Sequence, residues 1–76
     1  MKLIVIKQFT SGSLKGMSFI DHIKVSTVND LNWLDLVGKE IDAIGPNYRV
    51  GGVSIWDDAS GDYITREQAE WKLKGY

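Results

Sequence analysis

The stretch from Met1 to Val25 constrains the fold of this chain most, because it has the pattern of two strands joined by a turn. The apolar run at 3–6 is short and rich in β-branched residues, which favours a strand over a helix. Being apolar on both faces, this strand is expected inside a sheet rather than at its edge. From Met17 to Val25 apolar and polar residues alternate, which is typical of a strand with one buried face. Asp21 is the exception, because it places a carboxylate on the apolar face.

The connection from Thr10 to Gly16 holds two glycines and two serines, which are turn formers. Two strands joined by so short a segment pair antiparallel, because a parallel return needs about a dozen residues or more. The loop is nevertheless longer than the roughly two residues that close a minimal hairpin. It is therefore a candidate contact surface that includes Lys15. The alternative is a bulged hairpin end with Leu14 packed over the core.

The middle of the chain predicts a helix. Thr27 followed by Asp30 is a variant of the capping box. The apolar residues that follow recur at three-residue spacing, which gives one apolar helical face ending at Gly38. These residues are Val28, Leu31, Leu34 and Val37.

Two further strands are predicted after this helix. Residues 41–44 form a short third strand, and 45–47 form a turn. In the next strand the apolar residues change from even to odd positions across Gly51-Gly52, which predicts a bulge. The alternative there is a tight turn between two very short strands. The strand is expected to end at Trp56, before the polar turn 57–62.

The last helix begins at Thr65, which forms a capping box with Gln68, and it ends at Gly75. The elements together predict an α+β fold. We expect an antiparallel sheet of about four strands in ββαββα order, with the helices packed on one face. The length predicts a single domain, residues 1–76.

Composition excludes several classes of site. The chain has no cysteine, which rules out disulfides, thiolate zinc sites and cysteine nucleophiles. A small domain without disulfides is expected in a reducing compartment, here the cytoplasm. The apolar run near the start is too short for a signal peptide or a membrane span, so no membrane partner is expected.

Charge is unevenly distributed. Residues 1–25 carry four lysines against one aspartate, whereas residues 26–64 carry seven acidic and two basic side chains. The pattern favours either a two-signed surface or ordinary solvation of exposed charge. It also allows a nucleic-acid surface, although the sequence pI of about 5.6 opposes a strong phosphate footprint. That surface would combine basic and aromatic residues of the hairpin and its neighbour: Lys2, Lys7, Lys15, Lys24, Phe9, Phe19 and Tyr48. Phe9 and Phe19 share the apolar phase of their strands, so a core position is the simpler interpretation.

The sequence contains no evident set of catalytic residues. His22 is the one histidine, so neither a catalytic triad nor a histidine metal pair can form within a single chain. The glycine-containing loop lacks the Lys-Ser/Thr ending of a phosphate loop. We therefore expect no enzyme activity and no cofactor.

The acidic turn has two interpretations. Its four oxygen-bearing side chains could hold a hard cation, but they lack the spacing of a calcium loop and suit any turn. No metal site is therefore predicted. The acidic turn, the three tryptophans and the hairpin loop supply the candidate partner contacts. These are Lys15, Trp33, Trp56, Asp57, Asp58, Asp62 and Trp71.

The sequence from Phe9 to Gly16, Phe-Thr-Ser-Gly-Ser-Leu-Lys-Gly, resembles a Phe-Thr-Ser-Gly-x-Leu-Lys-Gly stretch in small proteins of bacteriophages and related mobile elements. The ending from Tyr63 to Glu70 resembles the short helical tails of such proteins. The resemblance implies a phage origin and the cytoplasm of a host bacterial cell. The function of that group is mostly unassigned, but small phage accessory proteins often bind and block host proteins, including defence systems such as CRISPR effectors.

These observations give three hypotheses. The first is a non-catalytic module that binds a host or phage protein and inhibits a host defence protein. The second is a nucleic-acid-binding module that uses the basic N-terminal hairpin. The third is a homo-oligomeric structural or regulatory protein.

Overall fold

The computed structural model, which describes residues 1–75, has an α+β fold with one antiparallel sheet and two helical segments. A 3₁₀ helix and the α-helix α1 follow the second and the fifth strand, at Val28–Leu36 and Arg66–Lys74. The strands are β1 (Lys2–Phe9), β2 (Ser18–Lys24), β3 (Glu40–Ile41), β4 (Tyr48–Asp57) and β5 (Asp62–Ile64).

Strand β1 lies inside the sheet, as its two-sided apolar character predicts. The sheet runs in the order β2-β1-β4-β3, and β5 also pairs with β4. Strands β1 and β2 form the expected antiparallel hairpin, in which Leu3 lies opposite Ile23. On its other side Leu3 lies opposite Ile55 of β4. The first strand thus holds together both halves of the chain.

The predicted bulge in β4 is confirmed, and the alternative of a tight turn is wrong. Ile6 lies opposite Gly52 whereas Lys7 lies opposite Val50, so Gly51 is the additional residue. Strand β4 continues through this point and ends one residue beyond Trp56. The bulge brings Val50 and Ile55 to the same buried face despite their even and odd numbers.

The core is built on one face of the sheet. Its sheet residues come from β1, β4 and the end of the hairpin, and each helical segment adds one fully buried residue, Leu31 or Ala69. We call this side of the sheet the covered face. The buried cluster consists of Leu3, Val5, Val25, Leu31, Val50, Ile55 and Ala69.

The first helical segment is a 3₁₀ helix of nine residues, not an α-helix. Its start is as predicted, because the Asp30 carboxylate accepts hydrogen bonds from the backbone N–H groups of Ser26 (2.8 Å) and Thr27 (2.9 Å). A 3₁₀ helix has about three residues per turn, so side chains three apart eclipse one another. The spacing of Val28, Leu31 and Leu34 fits that period better than the α-helical one.

The strands on the far side of β4 differ from the prediction. β3 has two residues, Glu40–Ile41, and Ala43 and Ile44 lie in the loop that follows it. The acidic turn joins β4 to β5 as a hairpin, in which Gly61 adopts φ 68°. The sheet therefore has a fifth strand, which the sequence did not predict. Sequence periodicity could not resolve β5, since three residues do not establish an alternation.

Helix α1 has the predicted ends. The Thr65 hydroxyl accepts a hydrogen bond from the Gln68 N–H at 3.2 Å, and the Gln68 side chain accepts one from the Thr65 N–H at 3.0 Å. Gly75 ends the helix in the left-handed region at φ 81°. Within residues 1–75, no helix is long and apolar enough to cross a membrane.

We expect Leu31→Ala to destabilise the protein by about 2–5 kcal/mol, because it leaves a cavity where the 3₁₀ helix meets the sheet. Leu31 is fully buried, whereas its neighbour Asn32 is exposed. Urea unfolding followed by tryptophan fluorescence measures the change, with Asn32→Ala as the matched control. Equal midpoints for the two variants would contradict the placement of Leu31 in the core.

Candidate functional site

The two faces of the sheet have different chemistry. Residues opposite each other on paired strands share a face, so the pairing assigns the even-numbered residues of β1 and their partners to the side away from the core. We call this side the open face. It comprises Lys2, Ile4, Ile6, Gln8, Ser18, Ile20, His22, Lys24, Glu40, Arg49, Ser54, Trp56 and Tyr63, with the diglycine at its centre.

On the covered face, Lys7 is buried at the edge of the core, where 9% of its surface is exposed. It lies there because the odd-numbered residues of β1 are on the side of the buried cluster. Its Nζ atom is 2.9 Å from Oδ2 of Asp21. It also lies 4.7 Å, 5.1 Å and 5.6 Å from the ring centroids of Tyr48, Trp33 and Phe19. The cation is therefore held by one carboxylate and three aromatic rings.

Asp21 explains the break in the alternation of β2. Its carboxylate faces the core side because Lys7 needs a charged acceptor there. The hydrogen bond from Lys7 holds the pKa of the Asp21 carboxyl below its ordinary value of 3.8. Asp21 is thus part of the covered face, and its irregular position in the sequence pattern is the signal of a partly buried ion pair.

Aromatic rings around a carboxylate are also the groups that bind quaternary ammonium ligands. Here the chain's own Lys7 fills the space, so the cluster fixes the hairpin against the 3₁₀ helix. Phe9 stacks on Phe19 at 4.9 Å and extends this packing. The nucleic-acid surface considered from the sequence is therefore not assembled, because Lys7, Phe19 and Tyr48 lie together on the covered face.

The open face has an aliphatic centre. Ile6 and Ile20 lie opposite each other on adjacent strands, and 44% and 62% of their surfaces are exposed. Ile4 is half-buried beside them. Gly51 and Gly52 leave the backbone of β4 bare next to Ile6, which increases the accessible surface of that side chain. The patch can bury apolar area against a partner.

Cations lie at both ends of the open face. Lys2 and Lys24 are opposite each other at one end, and Arg49 is opposite Gln8 at the other. These three residues form none of the salt bridges found within residues 1–75. Glu40, which lies opposite Arg49, accepts a hydrogen bond from the Thr10 hydroxyl at 2.6 Å. The strands of the open face therefore carry more positive than negative charge, with Lys2, Lys24 and Arg49 against Glu40, although the whole chain has a net charge of -1.

The three tryptophans occupy different environments. Trp33 packs against the core below Lys7. Trp56 lies on the open face, where it meets Tyr63 edge-on with centroids 5.1 Å apart. Trp71 is exposed on α1. All three are candidate partner contacts from the sequence, but in the structure they lie at three separate locations and form no common surface.

The acidic turn is largely engaged within the protein. Asp57 is 4% exposed, and its carboxylate is 2.7 Å from Lys72 Nζ and accepts a hydrogen bond from the Ser60 hydroxyl. The Lys72 contact lowers the pKa of the Asp57 carboxyl. Asp58 lies 3.2 Å from the Met1 nitrogen, and Asp62 is exposed. Within residues 1–75 no cluster of three or more histidine or acidic side chains could hold a metal ion.

Lys15 is exposed in the hairpin loop, beside a shallow depression of about 390 Å³ that Gln8 and Arg49 also line. Leu14 in the same loop is 43% exposed, so the expectation that it packs over the core is wrong. Lys15 therefore adds a cation near the Arg49 end of the open face.

The sequence missed the central residues of this surface. The apolar run at 3–6 does not by itself predict that Ile6 is exposed, and Ile20 and His22 lie in the polar phase of β2. The available signal was that Ile20 breaks the polar phase of β2, as Asp21 breaks its apolar phase. Ile20 and Asp21 both depart from the two-residue alternation of β2. Such departures mark positions where packing or function, rather than the strand period, determines the residue.

We expect Asp21→Asn to lower stability by about 1 kcal/mol at neutral pH, because Lys7 loses its charged acceptor. A carboxylate with a lowered pKa in the folded state stabilises the fold above its unfolded pKa, and that stabilisation is lost as the pH falls. The gap between variant and wild type should therefore close below pH 3.8, the ordinary value for Asp21.

Urea midpoints measured from neutral to acid pH test this expectation. Asp62→Asn is the control, since Asp62 is exposed and forms none of the salt bridges described. A deficit of Asp21→Asn that stayed constant at every pH would show that the ion pair does not stabilise the fold.

In comparisons with known proteins, no family model, curated protein or solved structure matches this chain.

Proposed function

We propose that the chain is a non-catalytic protein-binding module whose binding surface is the open face of the sheet. The observation that carries this proposal is the exposed pair Ile6 and Ile20 at the centre of a face with cations at both ends. An apolar centre with a polar rim is the usual anatomy of a protein interface. We further propose that both helical segments pack on the covered face, which leaves the other side of the sheet free to bind the partner.

The arrangement supports a protein partner better than a small substrate. The centre of the open face carries exposed aliphatic side chains and bare glycine backbone. Binding to such a surface depends on buried apolar area and complementary charge. Neither requires a reactive group.

A nucleic acid is the second candidate. Trp56 and Tyr63 lie on the open face together with Lys2, Lys24 and Arg49, which supplies both rings and cations. Bases stack on exposed aromatic faces, whereas aliphatic side chains offer no such platform. The central position of Ile6 and Ile20 favours the protein partner.

The finer proposal is a phage accessory protein that acts in the cytoplasm of a host bacterium and inhibits a host protein, such as a CRISPR effector. Its support is the resemblance of the stretch from Phe9 to Gly16 to hairpins of phage-encoded proteins. An inhibitor that works by occupying a surface needs binding alone, which agrees with the chemistry of the open face.

We expect Ile6→Lys to abolish stoichiometric capture of a protein partner from bacterial lysates by the tagged chain, because it places a charge in the apolar centre. Ile44→Lys is the matched control, since Ile44 is fully exposed in a loop outside the open face. Binding is measured as the ratio of captured partner to tagged chain. Equal capture by both variants would refute the open face as the binding surface.

We expect expression of the wild-type chain to raise the plating efficiency of a targeted phage on a CRISPR-protected strain. Ile44→Lys should do the same and Ile6→Lys should not, because inhibition requires binding through the open face. Unchanged plating across a panel of defence types, with partner capture intact, would contradict the inhibitory role and leave the binding role standing.

A further inference from the structure

We propose that the partner is held by strand addition: an extended segment of it pairs antiparallel with the free edge of β2. The segment has apolar residues at its centre and carboxylates at both ends. This inference rests on the proposed function and specifies the chemistry of the protein that the open face binds.

The backbone of β2 offers the pairing groups. The Phe9 N–H donates to the Met17 carbonyl at 2.9 Å, and the Val25 N–H donates to the Met1 carbonyl at 3.2 Å. Hydrogen-bonded pairs alternate along an antiparallel ladder, so the odd-numbered residues of β2 bond to β1. The even-numbered ones direct their N–H and C=O groups away from the sheet. These are Ser18, Ile20, His22 and Lys24.

The edge is long enough for a specific contact. β2 has seven residues, or roughly 23 Å of strand, and within residues 1–75 it pairs with β1 alone. The strands on the opposite side of the sheet, β3 and β5, have two and three residues. Strand addition of this kind draws affinity from main-chain hydrogen bonds and specificity from alternate side chains.

Edge strands are usually protected by a charge that points inward. Asp21 has that position in β2, but the ion pair with Lys7 at 2.9 Å neutralises it. An approaching strand therefore meets a paired carboxylate rather than a free one. The outward amides of Ile20 and His22 remain accessible beside an exposed isoleucine.

The charges of the open face select the partner. An added strand would run past Lys24 and Lys2 at one end, and the loop that holds Lys15 lies beyond the other end of β2, with Ile20 between them. Acidic residues at its ends and apolar residues at its centre complement this pattern. A second copy of the chain does not, because pairing of two β2 edges would place two basic open faces side by side.

The test uses the full chain and the peptide acetyl-Asp-Thr-Val-Thr-Ile-Thr-Val-Thr-Asp-amide as the probe. Alternate residues of this peptide supply the apolar centre and the acidic ends on one face. We expect it to slow hydrogen exchange at the amides of Ile20 and His22, measured by NMR. It should also bind on the order of tenfold more tightly than the same peptide with lysine at both ends.

Two variants of one residue separate strand addition from other contacts. His22→Pro removes an outward N–H that β1 does not use, so the fold is preserved while the edge is blocked. His22→Thr changes the side chain and keeps the amide. Binding that survives in His22→Thr and is lost in His22→Pro supports the inference.

Other outcomes overturn it. Equal binding by both variants would place the peptide elsewhere, and tight binding of decathymidine without peptide binding would assign the surface to nucleic acid. Concentration-dependent dimerisation that His22→Pro abolishes would show that a second copy covers the edge. If no peptide binds but Ile6→Lys still loses the captured protein, strand addition fails and the proposed function stands.

Discussion

The fold depends on β1 being apolar on both of its faces. Its odd-numbered residues Leu3 and Val5 form the centre of the core, and its even-numbered residues Ile4 and Ile6 form the centre of the open face. One strand therefore contributes both to the core and to the exposed apolar patch of the open face. Several other large apolar side chains are exposed as well, among them Leu14 and Ile44. What distinguishes Ile6 and Ile20 is that they lie opposite each other on adjacent strands and so form one patch.

Lys7 continues the row of covered-face residues of β1 that begins with Leu3 and Val5. A charged group at the end of an apolar row would ordinarily destabilise the core. Asp21 and the surrounding rings compensate it, and they come from β2, the 3₁₀ helix and β4. The lysine thus connects three elements at the point where the apolar core ends. The same ion pair also neutralises the carboxylate that Asp21 places on the edge strand β2.

Local signals predicted much of the fold, whereas the surface required the tertiary arrangement. The hairpin, the bulge at Gly51 and the caps at Asp30 and Thr65 follow from patterns within a few residues, and the structure has all of them. The 3₁₀ helix and β5 were missed because the first has a period close to that of an α-helix and the second is too short to show one. The open face combines residues from β1, β2 and β4 whose adjacency no local pattern contains.

The bulge at Gly51 divides β4 into two halves that obey opposite numbering. Arg49 and Trp56 share the open face although one number is odd and the other even. Loss of that single glycine would exchange the inward and outward side chains of one half of the strand. An insertion or deletion at this position would therefore change the face on which every side chain in one half of β4 lies, whereas a substitution would change a single side chain.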